Sequence, residues 1–335
     1  MRMLVLSLAL SMVALAVQAQ AQSMPRLPRA QFDVIPPSDR VSGERGSIEI
    51  VQRGCRIGPT NWARRRIVDI AAQEWGTFGF QTFDLRPVET RRLPDGVVAD
   101  AVNPELSAPR AVRHNLRFGA WESERRMDQT IAGYWSSTPD GADIVERQNR
   151  QWRNGDGDVM WVEPWSAAFV SWVMCEAGLG DMDQFRRDIA HWRYVDQALE
   201  ARDGEAPEAA YQAYDVGEVE LQPGDLVCNP RGGRTYRRLA DRREDQGDQA
   251  PLHCDIVVRV DGEDRTAAVI GGNVVNGVSL TILPLIEGEG GHLRPMLPED
   301  RAGARIYFAH LSLRADPVEP LALDNSPTIR ALSVP

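Results

Sequence analysis

Residues 163–178 read EPWSAAFVSWVMCEAG, a stretch with almost no polar face, and this limits the folds open to the chain. Pro164 and Ser166 mark a helix start, because serine accepts readily from an unpaired helix amide and proline presets the backbone ahead of it. Gly178 supplies a left-handed stop. Between them Phe169, Val170, Trp172, Val173 and Met174 surround the helix with apolar side chains. A helix that is apolar all round must be covered on most sides, so this one requires a core built around it. Ser166 at its mouth has two readings. It is a helix cap, the commoner role for such a serine, or it is a nucleophile favoured by the positive end of the helix.

The rest of the chain supplies a cover in two parts. A helix is expected after Pro59-Thr60, with Ile67, Ile70, Ala71 and Trp75 at helical spacing and Gly76 as its stop. Residues 77–160 are irregular and rich in turns, with Trp121 and Trp135 expected in the core. A second helical stripe, Phe185, Ile189 and Trp192, predicts a helix over about residues 182–201. After Pro223-Gly224-Asp225 the pattern changes to short β-like runs, DLVC, CDIVVRV, TAAVIGG, VSLTILPL and ARIYFAHLSL. Helices followed by strands predict an α+β fold, with helices packed on a mainly antiparallel sheet. The segment between the first two runs, residues 231–250, is long and charged and is expected as a mobile loop; most such loops are only solvated, although one that overhangs a site can gate it.

The first 21 residues carry one arginine, an apolar run to Val17 and an Ala19-Gln20-Ala21 pattern, which describes a secretory signal rather than a membrane span. Export to a bacterial periplasm or beyond is the expectation, with no transmembrane anchor. Residues 22–56 contain Pro25, Pro28, Pro36 and Pro37 and read as a loosely packed arm. Residues 57–312 form the expected single domain and residues 313–335 a polar tail. The formal net charge of −10 argues against nucleic acid as a partner, since phosphate contacts need a basic surface. All 38 basic residues are arginine, so Schiff-base, phosphate-loop and Ser-Lys chemistries are absent from the chain.

Four cysteines in an exported chain point to disulfides. Cys228 ends one β-like run and Cys254 opens the next, which favours a cross-strand bridge between them. Cys55 and Cys175 are left as a second bridge or as free thiols. A zinc site of Cys228, His253 and Cys254 is the metal alternative, but strand alternation sends His253 and Cys254 to opposite faces. No cofactor is expected.

Acyl transfer needs a nucleophile, a base and a group that orients the base. Ser166 at the helix start, His253 at a strand start and Asn273 after the next strand offer that set. Asp255, two residues beyond His253, is an alternative partner, although neighbouring positions on one strand rarely orient one another well. His191 sits beside Trp192 and Tyr194 and reads as core packing or as a groove residue; His114, His292 and His310 have no motif around them.

WSAAFVSWVMCEAG resembles the nucleophile helix of the papain-like cell-wall hydrolases, the NlpC-type peptidases and CHAP amidases. PGDLV with the strand HCDIVV resembles their histidine segment, which implies His253, and IGGN resembles the CHAP strand end with the third polar residue, which implies Asn273. With IVDIAAQEW and HWRYV, the arrangement looks most like the bacterial family catalogued as domain of unknown function 2272. The resemblance implies a papain-like fold and hydrolysis of amide or acyl bonds in cell-wall peptides. It also suggests Trp165, His191 and Tyr194 as substrate-binding residues. Serine stands where those peptidases have cysteine, so Ser166 would have to lose its proton during attack. The other possibility is an inactive scaffold that binds peptidoglycan or a protein partner.

Overall fold

A computed structural model describes residues 23–86, 116–155 and 159–332. The expected signal segment lies outside these residues. In chain order the elements are β1 (Val41–Ser42), β2 (Glu49–Ile50), α1 (Ala63–Thr77), β3 (Gln81–Asp84), β4 (Leu116–Arg117), α2 (Asp128–Trp135), α3 (Gly141–Asn154) and α4 (Ser166–Ala177). There follow α5 (Trp192–Asp203), β5 (Tyr211–Tyr214), β6 (Leu226–Pro230), α6 (Leu239–Glu244), β7 (Leu252–Asp261), β8 (Thr266–Gly271), β9 (Ser279–Glu287), β10 (Leu293–Pro295), β11 (Ala309–Leu313) and α7 (Pro327–Leu332).

The apolar helix is α4, and every one of its residues is buried. Its left-handed stop is Gly178 at φ 108°. It packs against α1, α2, β7 and β8. Burying large apolar side chains such as Phe169, Trp172 and Met174 stabilises the fold by about 1.5–3 kcal/mol each. Gly272, just past β8, lets the sheet approach the helix: a Cβ there would stand 2.5 Å from Phe169 Cβ.

The main sheet runs β4-β3-β9-β8-β7-β6-β11-β5, with β10 added beside β9. Its pairings are antiparallel except for β3 with β9, so the fold is α+β with a mainly antiparallel sheet, as the pattern of the sequence implied. All five β-like runs contain strands of this sheet, whereas β3, β4, β5 and β10 are too short or too mixed to announce themselves.

Several expectations are corrected. Residues 77–160 hold two helices, α2 and α3, rather than irregular chain. The helix expected from residue 182 begins at Trp192, because residues 181–190 turn back on themselves around buried Arg187, which donates to Ser137 O and Leu179 O. Residues 23–56 are no loose arm. Phe32, Val34, Val41 and Ile48 belong to the core, and buried Arg40 pairs with Glu176 at the end of α4. Arg26 likewise binds both oxygens of Glu74 at 2.6 and 2.7 Å. Beyond residue 312, Leu313, Ala322 and Leu323 also join the core. The charged segment 231–250 contains α6, whose Arg242 is fully buried on Asp196 at 2.6 and 2.8 Å. That anchored segment is not a free loop.

Cys228 and Cys254 face one another in the β6–β7 register and form a disulfide, with Cα atoms 4.1 Å apart. Cys55 and Cys175 form the second bridge, tying the chain before α1 to α4. Two disulfides fit a protein of an extracytoplasmic, oxidising compartment. Both thiols of the zinc alternative are used in the first bridge, leaving no thiolate there for a metal. Among the described residues no helix is long and apolar enough to cross a membrane.

Candidate functional site

The start of α4, the start of β7 and the turn after β8 meet around a cavity of about 520 Å³. Ser166, His191, His253 and Asn273 all line it. The hydroxyl, the imidazole and the amide singled out in the sequence therefore share one pocket, together with a second imidazole.

Their hydrogen bonds differ from the expected chain of Ser166, His253 and Asn273. Ser166 is the first residue of α4, and its Oγ lies 2.7 Å from His191 Nε2 instead of capping the helix. His191 Nδ1 receives the backbone N–H of Cys254 at 3.2 Å and also meets the Tyr194 hydroxyl. A backbone amide can only donate, so Nδ1 is an acceptor and the imidazole proton sits on Nε2. His191 thus donates to Ser166 Oγ. Burial, then the neighbouring His253, hold the His191 imidazole well below its usual range, which keeps it neutral. Burial, then Asp255, push the Tyr194 phenol well above its usual range, so its hydroxyl stays protonated and also donates to Nδ1.

His253 has a different partner. Its Nε2 lies 2.8 Å from Asp255 Oδ1, and both side chains are buried. Residues two apart on β7 point to the same side, which brings this pair together. Gly271 makes room for it on the adjacent strand: a Cβ there would lie 2.0 Å from Asp255 Oδ1 and 3.1 Å from His253 Nε2. Burial raises the Asp255 carboxyl, but His253, then Arg305 and Arg231, outweigh it and hold the group below the ordinary carboxylate value. An ionised Asp255 can only accept, so His253 Nε2–H donates to it, and in the neutral ring Nδ1 carries the free lone pair. The rings of His191 and His253 stand 5.2 Å apart between centroids.

Asn273, expected to orient His253, serves another bracket. With its amide oriented to suit its neighbours, it donates to Glu122 Oε2 at 3.2 Å and accepts from the Trp165 backbone N–H at 3.3 Å. Its backbone is left-handed, at φ 54°, a conformation asparagine tolerates better than most residues. Glu122 also accepts from Trp165 Nε1 at 2.7 Å, and burial raises its carboxyl against the effect of that bond. Trp165 is fully buried, stacked between Phe78 and Tyr134, so it belongs to the core and not to a substrate groove. Tyr194 is buried against Phe185 and reaches the site only through His191. Of the three suggested substrate-binding residues, His191 alone lines the cavity.

Nothing in the sequence signals the Ser166–His191 contact, since the two are 25 positions apart with no spacing rule between them. The pairing of His253 with Asp255 does have a signal, the two-residue strand period that puts both side chains on one face of β7. His310, without a motif, is a core residue bound to Asp225 Oδ2 at 2.8 Å.

No curated protein and no solved structure matches the chain. A family model described as an uncharacterized protein conserved in bacteria (DUF2272) matches residues 122–297, a span that contains Ser166, His191, His253, Asp255 and Asn273. Since that match covers just over half of the 335 residues, the chain belongs to the DUF2272 family.

Proposed function

We propose that this protein is an exported hydrolase of amide or acyl bonds in which Ser166 attacks and His253 takes its proton. The observation that carries this reading is the convergence of Ser166, His191 and His253 on one cavity, with His253 Nε2 committed to a buried carboxylate. In the first step the Ser166 hydroxyl proton passes to His253 Nδ1 while Oγ bonds to the substrate carbonyl carbon. The displaced electron pair collects on the carbonyl oxygen, where the first amides of α4, which lack intrahelical partners, can stabilise it. His253 then returns the proton to the leaving amine or alcohol, and water releases the acyl group by the same steps in reverse. Asp255 orients the imidazole and offsets the charge it gains, a task to which a carboxylate is better suited than Asn273. His191 holds Oγ in place. The resemblance to papain-like cell-wall hydrolases points to cell-wall peptides as the substrate class.

One observation favours a second reading, an inactive scaffold that binds such peptides. His191 donates to Ser166 Oγ, so the hydroxyl is positioned by that bond and not activated by it. Serine also stands where the resembling peptidases have cysteine.

A fluorophosphonate serine probe and purified peptidoglycan separate the two. The hydrolase reading expects labelling at Ser166 and release of peptide fragments, both lost in Ser166→Ala and in His253→Ala. A protein that neither labels nor releases fragments, but gains hydrolysis in Ser166→Cys, is the scaffold.

A further inference from the structure

The cavity at Ser166 carries unneutralised positive charge, although the chain as a whole has a formal net charge of −10. Arg231 and Arg305 both line it. Arg231 follows β6 directly, and its backbone N–H donates to Pro251 O at 2.8 Å, which fixes the base of the side chain beside the start of β7. Among the described residues its guanidinium has neither a hydrogen bond nor an ion pair. Arg305 is held loosely, 3.7 Å from Asp255 Oδ2 and 3.5 Å from the Tyr307 hydroxyl. Asp255, which contacts His253 behind the lining, already serves that histidine, and Glu163, the carboxylate that lines the cavity, is paired with Arg147 at 3.1 Å. Two guanidiniums therefore face one cavity with less than one free counter-charge between them.

We infer that Arg231, backed by Arg305, binds a carboxylate of the substrate, so that the site takes peptides or acyl compounds with a free carboxylate close to the bond presented to Ser166. A planar guanidinium offers two parallel N–H donors that match a carboxylate, and such charge-assisted pairs are about twice as strong as neutral ones. A carboxylate between the two arginines also relieves their mutual repulsion. At about 520 Å³ the cavity has room for a short peptide segment as well as the anionic group. The inference rests on the reading of this cavity as a substrate site, and it adds the chemistry that the site selects.

The test is calorimetric titration of Ser166→Ala protein, which binds without turnover, with N-acetyl-dialanine and with its C-terminal amide. The free acid should bind about 10-fold tighter or more, and Arg231→Gln in the same background should erase that preference. Arg231 makes no side-chain bond within the fold, so its replacement leaves the fold intact. Equal affinity for acid and amide, a preference that survives Arg231→Gln, or no binding of either at about 10 mM overturns the inference. The outcome is independent of the serine probe. Acid preference without labelling keeps the carboxylate site and removes the hydrolase, and labelling without acid preference does the reverse.

Discussion

Ser166 Oγ lies 2.7 Å from His191 Nε2, and His191 is the donor in that bond because its other nitrogen accepts the Cys254 backbone N–H. Two histidines therefore line the cavity at Ser166, and they differ in their hydrogen-bond partners. His191 can place the hydroxyl, while His253, with Asp255 on its Nε2, has the lone pair that can take a proton.

Replacing each histidine distinguishes these roles. His253→Ala should slow fluorophosphonate labelling by roughly 10²-fold or more, the usual worth of a positioned base. His191→Gln, which keeps a side-chain donor, should stay within about 10-fold of the parent, the scale of one lost or misplaced hydrogen bond. The measurement is the second-order labelling rate, with circular dichroism to show that both variants fold. The reverse order of effects would make His191 the base and would require the other tautomer.

The two disulfides should contribute unequally to stability. In the chain-entropy account, the Cys228–Cys254 bridge, 26 residues apart, is worth about 3.5 kcal/mol, and Cys55–Cys175, 120 apart, about 4.9 kcal/mol. Paired Cys→Ala replacements followed by urea unfolding should show the larger loss for Cys55→Ala/Cys175→Ala. Cys228→Ala/Cys254→Ala should also slow serine labelling, since Cys254 supplies the N–H that fixes the His191 tautomer and lies between His253 and Asp255 on β7. Unchanged labelling in that variant would mean the strand holds its position without the bridge.

The parts of the fold set by local pattern could be read from the residues. The limits of α4 follow from Ser166 and Gly178, and the cross-strand bridge follows from two β-like runs with cysteines at facing ends. What could not be read depends on distant partners. Arg40 looks like a surface residue until Glu176, 136 positions away, is brought to it. The parallel pairing of β3 with β9 joins Gln81 to Ser279, and nothing in a four-residue strand announces so remote a neighbour. The site shows the same division. Ser166, His253 and Asn273 were recognisable as polar residues at element ends, and they do share a cavity. Their bonds go elsewhere because His191, Asp255 and Glu122, each buried, compete for the same donors and acceptors.

Glu122 should be a structural support of the site. It accepts from Trp165 Nε1 at 2.7 Å and, through Asn273, links the turn after β8 to the start of α4. Glu122→Ala would leave the buried Trp165 Nε1–H without its acceptor, at a cost of about 1–3 kcal/mol, and would release the half-buried Asn273 amide. Glu122→Gln keeps one acceptor oxygen and should cost less. Denaturant midpoints for the two variants decide the matter, and equal stabilities would show that the bracket contributes little.

Away from the site, Asp69 on α1 should give the stability a distinctive dependence on pH. Burial pushes its carboxyl up to about 7, with Arg65, 3.9 Å away, opposing that rise. Between its ordinary value of 3.8 and about 7, the folded protein keeps a proton on Asp69 that the unfolded chain has released. The contribution is therefore fully present at low pH and is lost as pH rises through that window. His191 works the other way. Its folded-state value lies well below 6.5, so the unfolded chain gains a proton first and stability falls as pH drops from about 6.5. The two slopes oppose one another in weak acid, and the parent should change little there. Asp69→Asn removes one of them. Relative to the parent, it should gain on the order of 2 kcal/mol in urea-unfolding stability on going from about pH 5 to about pH 8. It should also lose stability more steeply than the parent when acidified below about pH 6.5, because the His191 contribution is then unopposed. A parent-to-variant difference that is flat from pH 5 to 8 would mean that Asp69 ionises normally in the fold.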